Sequence, residues 1–99
     1  MLTKEEAKKY LSDAAPEQCF WVNNGPVLKN IEELANALPG LSDESFHHHV
    51  NAEKNDFGTW IGDIIGDKKL ANELLSSKDK NSALKKVRNR LNALKKKVG

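Results

Sequence analysis

The sequence predicts a mainly α-helical single domain. It reads as a compact bundle of five to six short helices, with a small extended hairpin near residues 19–28 and a basic C-terminal helix. Three observations lead there. Cap residues recur with acidic residues in the turn that follows, as at Thr3 with Glu6, Asn30 with Glu33, and Ser42 with Asp43 and Glu44. Between the caps, apolar residues fall at spacings of three and four. Only Cys19–Val22 and Pro26–Leu28 break this habit, as two short apolar runs around Asn23-Asn24-Gly25.

Thr3 and Glu6 form a capping box for a helix over residues 4–14, which Pro16 stops. The Asn-Gly step then signals a turn between the two apolar runs, and Pro26 confines the second to an edge. Asn30 caps a helix whose Ile31, Leu34, Ala35 and Leu38 share a face, and Pro39-Gly40 ends it. Ser42 opens the next helix, with Phe46, His49 and Val50 along one side. Asn55 or Asp56 caps another, whose Phe57, Trp60, Ile61, Ile64 and Ile65 form the strongest apolar stripe in the chain. Gly66 fits a C-terminal glycine position and Asp67 a fresh cap for Leu70, Ala71, Leu74 and Leu75. Residues 76–79 read as a polar connector. The last helix covers about 81–97, with Leu84, Val87, Leu91, Leu94 and Val98 as an alternating three-four seam. The expected core is Phe20, Trp21, Leu34, Leu38, Phe46, Phe57, Trp60, Ile61, Ile64, Leu70 and Leu74.

Several pieces occur in order: Phe20-Trp21, Glu33-Leu34, Phe46-His47-His48-His49, Asn55-Asp56-Phe57-Gly58-Thr59-Trp60, Gly66-Asp67 and Leu70-Ala71. The ordered set resembles an uncharacterised small helical domain family of archaeal and bacterial proteins, over residues 19–75. The resemblance implies a compact helical domain and a prokaryotic source, and it brings no activity with it. The basic C-terminal helix lies outside it.

Composition narrows the function classes. With 38% hydrophobic and 30% charged residues, 99 residues suffice for one core, and the five Phe and Trp residues at 20, 21, 46, 57 and 60 argue against disorder. A single cysteine, Cys19, excludes an internal disulfide and a multi-cysteine zinc site. No apolar run approaches a membrane span and no secretory leader is evident, so the expected location is the cytoplasm, without a membrane role. Net charge is +2, but eight of the sixteen basic residues lie in 80–99, where no acidic residue occurs. Residues 1–79 hold the other eight against all fourteen acidic residues, a net of −6. An acidic helical body (1–79) thus carries a +8 helix (80–99) within one domain.

Three patterns invite a chemical reading. Three histidines in succession point about 100° apart on a helix and cannot converge on one ion. His49 and Glu53, joined by Asp56, would be the nearest thing to a ligand set. The simpler reading has His49 facing inward and bonding around Asn55-Asp56, so that it pins the turn between two helices. Cys19 lacks the glycine elbow of a nucleophile and reads as a small core residue. Gly58, Gly62 and Gly66 recur every four residues and mark a close approach of another element. Catalytic residues, metal ligands and cofactors are therefore not expected.

The basic helix is the strongest functional signal. The expected function is a non-enzymatic protein-interaction module whose Lys85, Lys86, Arg88, Arg90, Lys95, Lys96 and Lys97 meet an acidic protein partner. The alternative is sequence-independent nucleic-acid binding, in which residues 80–97 contact phosphates. Phe20, Trp21, His49, Asp56, Phe57 and Trp60 are expected to be structural.

Overall fold

Each helix starts where the sequence supplies an oxygen for its orphan N–H groups. In the computed structural model, which describes residues 2–99, Thr3 Oγ1 accepts from Glu6 N and the Glu6 carboxylate accepts from Thr3 N, closing the capping box of α1 (Lys4–Leu11). Asn30 caps α2 (Ile31–Ala37) and Ser42 caps α3 (Asp43–His49). Asn55 caps α4 (Asp56–Trp60), Asp67 caps α5 (Lys68–Leu75) and Asp79 caps α6 (Lys80–Val98). Asp79, placed in a connector by the sequence, is the starter of the longest helix. α1 ends three residues earlier than expected, because the chain turns extended at Ser12, whose hydroxyl donates back to Lys8 O.

Among the described residues the one sheet is an antiparallel hairpin of β1 (Phe20–Trp21) and β2 (Val27–Leu28), with Phe20 opposite Leu28 and Trp21 opposite Val27. Successive strand residues face opposite sides, so only one residue of each two-residue strand can enter the core, and cross-strand partners go in or out together. Phe20 and Leu28 enter it. Trp21, expected inside, is 74% exposed and sits with Val27 on the outer face. This corrects the expectation that both aromatics of the Phe-Trp pair are core. The turn is tight: Asn24 adopts a left-handed φ of 54°, Val22 N donates to Pro26 O and Gly25 N to Val22 O.

Behind the hairpin lies an aromatic cluster. The Phe20 ring lies 4.9 Å from that of Phe57 and 5.7 Å from that of Trp60, whose Nε1–H donates to Gln18 O at 2.8 Å. Phe46, Leu34, Leu38, Ile61, Leu70 and Leu74 complete the expected core. Ile64 is only half-buried, because residues Ile61–Ile65 form a wide π turn rather than continuing α4. Gly66 N and Asp67 N both reach back to Ile61 O, and Gly66 ends the turn at a φ of 93°, the glycine conformation its position suggests. A Cβ at Gly62 would stand 3.1 Å from Ala71 Cβ, and one at Gly58 3.3 Å from Ala71 O. These two glycines let α4 and its π turn lie close against α5.

α6 is part of this core. Ala83, Val87, Leu91 and Leu94 are buried, and Leu84 and Val98 pack at its edge. α6 lies against α1, α2 and α5. A polar clamp joins them: Arg90 donates to Asp67 through Nε (2.7 Å to Oδ2) and Nη2 (3.0 Å to Oδ1). Asp67 is fully buried and the guanidinium lies under the Tyr10 ring of α1, 5.9 Å from its centroid.

Breaking one side of a buried pair leaves an uncompensated charge. Arg90→Met is expected to lower the unfolding free energy by about 3–5 kcal/mol in urea titrations. A loss below ~1 kcal/mol would show that the pair does not hold α6. Trp21→Ala, on the outer face, should stay within about 0.5 kcal/mol of wild type, against about 3–5 kcal/mol for Trp60→Ala.

Candidate functional site

The buried side of α6 fixes what its other side presents. At 100° per residue, Lys85, Arg88, Asn89, Asn92 and Lys96 fall within an arc of about 100° opposite Val87 and Leu94, and all five are exposed. From Lys85 to Lys96 this row rises about 16 Å along the helix. Lys95 and Lys97 are exposed beside it, and Lys86 is half-buried. No acidic residue and no large apolar residue interrupts the row. Lys95–Lys97 also suit the negative end of the helix dipole, which explains part of their clustering in plain structural terms.

The expected basic set is therefore divided by the fold. Lys85, Arg88, Lys95, Lys96 and Lys97 are presented outward. Arg90 is not among them, since its guanidinium is turned inward and committed to Asp67. Lys95 Nζ lies 3.1 Å from Glu32 Oε2 of α2, with both side chains about half exposed, a surface pair that solvent weakens. Lys80 donates to Leu41 O at 2.6 Å and so pins the start of α6. The three-four seam faces the chain's own core, where Val87 and Leu91 are buried and not available to another chain.

The histidine run separates in the same way. His47 and His48 are exposed, while His49 is 6% exposed. The backbone N–H of Asn23 can only donate, so His49 Nε2, 2.9 Å away, is the acceptor and carries no proton. The proton therefore sits on Nδ1 and is donated to Asp56 Oδ2 at 3.0 Å. This Asp–His pair has the outline of a catalytic dyad. Its Nε2 lone pair, which a general base would need, is already used by the hairpin. Cys19 is elsewhere engaged, its thiol donating to Ala15 O at 3.5 Å. Among the described residues no cluster of three or more His, Cys, Asp or Glu could hold a metal. No helix among them is long and apolar enough to cross a membrane.

Asp56 is shared between two donors. Partial burial pushes its carboxyl up, but the His49 and Lys54 hydrogen bonds and the Lys54 charge, 3.2 Å away, outweigh it and hold it below its ordinary value. Asn55 beside it caps α4 through Gly58 N and donates to Leu74 O at 2.8 Å, tying α4 to α5. Phe57 and Trp60 fill the core. Every residue of Asn55-Asp56-Phe57 and Trp60 thus has a packing or bonding task inside the fold. Residues that sequence reasoning did not single out include Asn55 as an α4–α5 tie and Asp67 as the partner of Arg90. The cap pattern signals the first half of each, but nothing in the chain signals a partner nineteen or twenty-three residues away.

Compared with family models, curated proteins and solved structures, the chain matches none. Function is accordingly read from the arrangement of its own side chains.

His49→Ala is expected to cost about 1–3 kcal/mol, since it orphans the Asn23 amide and one Asp56 bond; an unchanged urea midpoint would contradict the assignment. Asp56, with its folded-state value lowered, contributes stability that is whole above the ordinary carboxylate range and is lost as pH falls through that lowered value. Below about pH 5, past the histidine range, the stability gap between wild type and Asp56→Asn should therefore narrow as pH falls through the carboxylate range, as read from urea midpoints at successive pH values. A gap that widens within that lower range would reverse the sign.

Proposed function

We propose that this chain is a small non-enzymatic interaction module that presents the outer face of α6 to an acidic protein partner. The single observation that carries the reading is the uninterrupted exposed row of Lys85, Arg88 and Lys96, with Lys95 and Lys97 beside it, on a helix clamped to the body. A clamped helix offers its charges without ordering a flexible arm first, which lowers the entropy cost of association. The rest of the chain favours a short acidic segment over a long polyanion. Residues 1–79 carry a net charge of −6, which repels any extended anion passing within about 10 Å of the body.

A second reading has its own support. The outer row bears no large apolar side chain, whereas protein interfaces usually carry an apolar centre. Lys, Arg and exposed Asn at helical spacing also suit phosphates, with Arg88 able to grip one through two N–H groups. This supports sequence-independent nucleic-acid binding as the alternative.

The test is fluorescence anisotropy with a labelled glutamate-rich peptide and a labelled DNA duplex, at low and physiological salt. It compares wild type with the folded triple variant Lys85→Glu, Arg88→Glu, Lys96→Glu. The peptide is expected to bind wild type and to lose at least about tenfold in affinity with the variant. Binding of the duplex instead, with a log–log salt slope of about −3 to −4.5 for three to five phosphates, would move the assignment to nucleic acid. Equal binding by wild type and variant overturns the α6 face as the site.

A further inference from the structure

We propose that His49 is a proton-operated latch on the β1–β2 turn: its neutral ring holds the turn against α3, and protonation releases it. The inference is independent of the α6 face and rests on the directions of two hydrogen bonds. Asn23 N–H points at Nε2 from 2.9 Å, and Nδ1–H points at Asp56. A second proton on the ring has only Nε2 to occupy, and there it sets one N–H against another. The bond to Asn23 and the doubly protonated ring exclude each other. By contrast, the Asp56 bond survives protonation and strengthens, because it then joins opposite charges.

The groups facing His49 set the direction of coupling. From α4 comes the Asp56 carboxylate, which favours the charged ring and is itself shared with Lys54. From α3 comes His48, whose ring centroid lies 4.9 Å away and which disfavours a second charge once it is protonated. The hairpin contributes only the Phe20 ring and the Asn23 amide, and the Phe57 ring closes the other side. The protein thus supplies a counter-ion for the charged ring on one side and a bond that forbids it on the other.

What the latch holds is small and already bent. The turn places Asn24 at a φ of 54° and is otherwise closed by two backbone bonds, Val22 N to Pro26 O and Gly25 N to Val22 O. Phe20 and Leu28 remain anchored in the core, so protonation frees the turn and leaves the bundle intact. The outward pair Trp21 and Val27, next to this turn, is the surface whose mobility changes.

The test is amide hydrogen exchange and ¹⁵N–¹H NMR on the full chain, between about pH 8 and about pH 5, with His49 Cε1–H followed as the titration marker. The Asn23 protection factor, corrected for intrinsic exchange, is expected to fall by about tenfold in step with His49 titration, as for one lost hydrogen bond. Leu34 and Leu74 amides should keep their protection. In Asp56→Asn, which removes the counter-charge, both the His49 titration and the loss of Asn23 protection should move to lower pH together. The proposal fails if Asn23 stays protected while His49 titrates, or if His49 stays neutral until the whole chain unfolds. It also fails if the Asn23 change tracks His47 or His48 instead.

Discussion

The fold turns on one buried carboxylate. Asp67 follows the left-handed Gly66, closes the π turn through its own N–H to Ile61 O, caps α5 through Leu70 N and takes both Arg90 donors. Three segments therefore meet in a fixed register at a group with no solvent exposure, and Tyr10 brings α1 over the same guanidinium. Removing two charges from water offsets most of what their attraction returns. The consequence of such a pair is geometric: it sets the rotation of α6. With Arg90 turned in, Lys85, Arg88, Asn92 and Lys96 have to face out.

The same logic runs through the second polar anchor. His49 joins α3, α4 and the hairpin turn with its two ring nitrogens, and the aromatic rings of Phe20 and Phe57 flank it. The ordered motif residues between Phe20 and Ala71 fall largely on caps, core positions and these two anchors. They are residues that build the scaffold. The residues free to act on something else lie mostly outside that set, on the outer row of α6 and at Val27, and Trp21 is the member of the set that faces outward with them.

How far the sequence disclosed this depends on the range of each interaction. Caps act over three residues, so Thr3, Asn30, Ser42, Asn55 and Asp67 were legible, and helix starts followed from them. The inward His49 and its bond to Asp56 were also legible, because one helical face and one turn separate them. Trp21 was misplaced because hydrophobicity pointed inward while strand alternation pointed outward, and in a two-residue strand only the pairing register decides. Arg90 was read as a surface charge because its partner is twenty-three residues away and nothing local distinguishes it from Arg88. The direction of the α6 seam, toward the body, needed the other helices in place.

The central claim is that α6 is a fixed wall of the bundle, so that only its outer row is free to meet a partner. Site-resolved amide exchange along α6 tests this most directly. The account predicts that the amides of Val87, Leu91 and Leu94 exchange only through global unfolding, with the same free energy as Leu34 in α2. If they exchange through a local opening while Leu34 stays protected, α6 is a detachable arm. Its seam is then as available to partners as its charges, and the outer-row account is wrong.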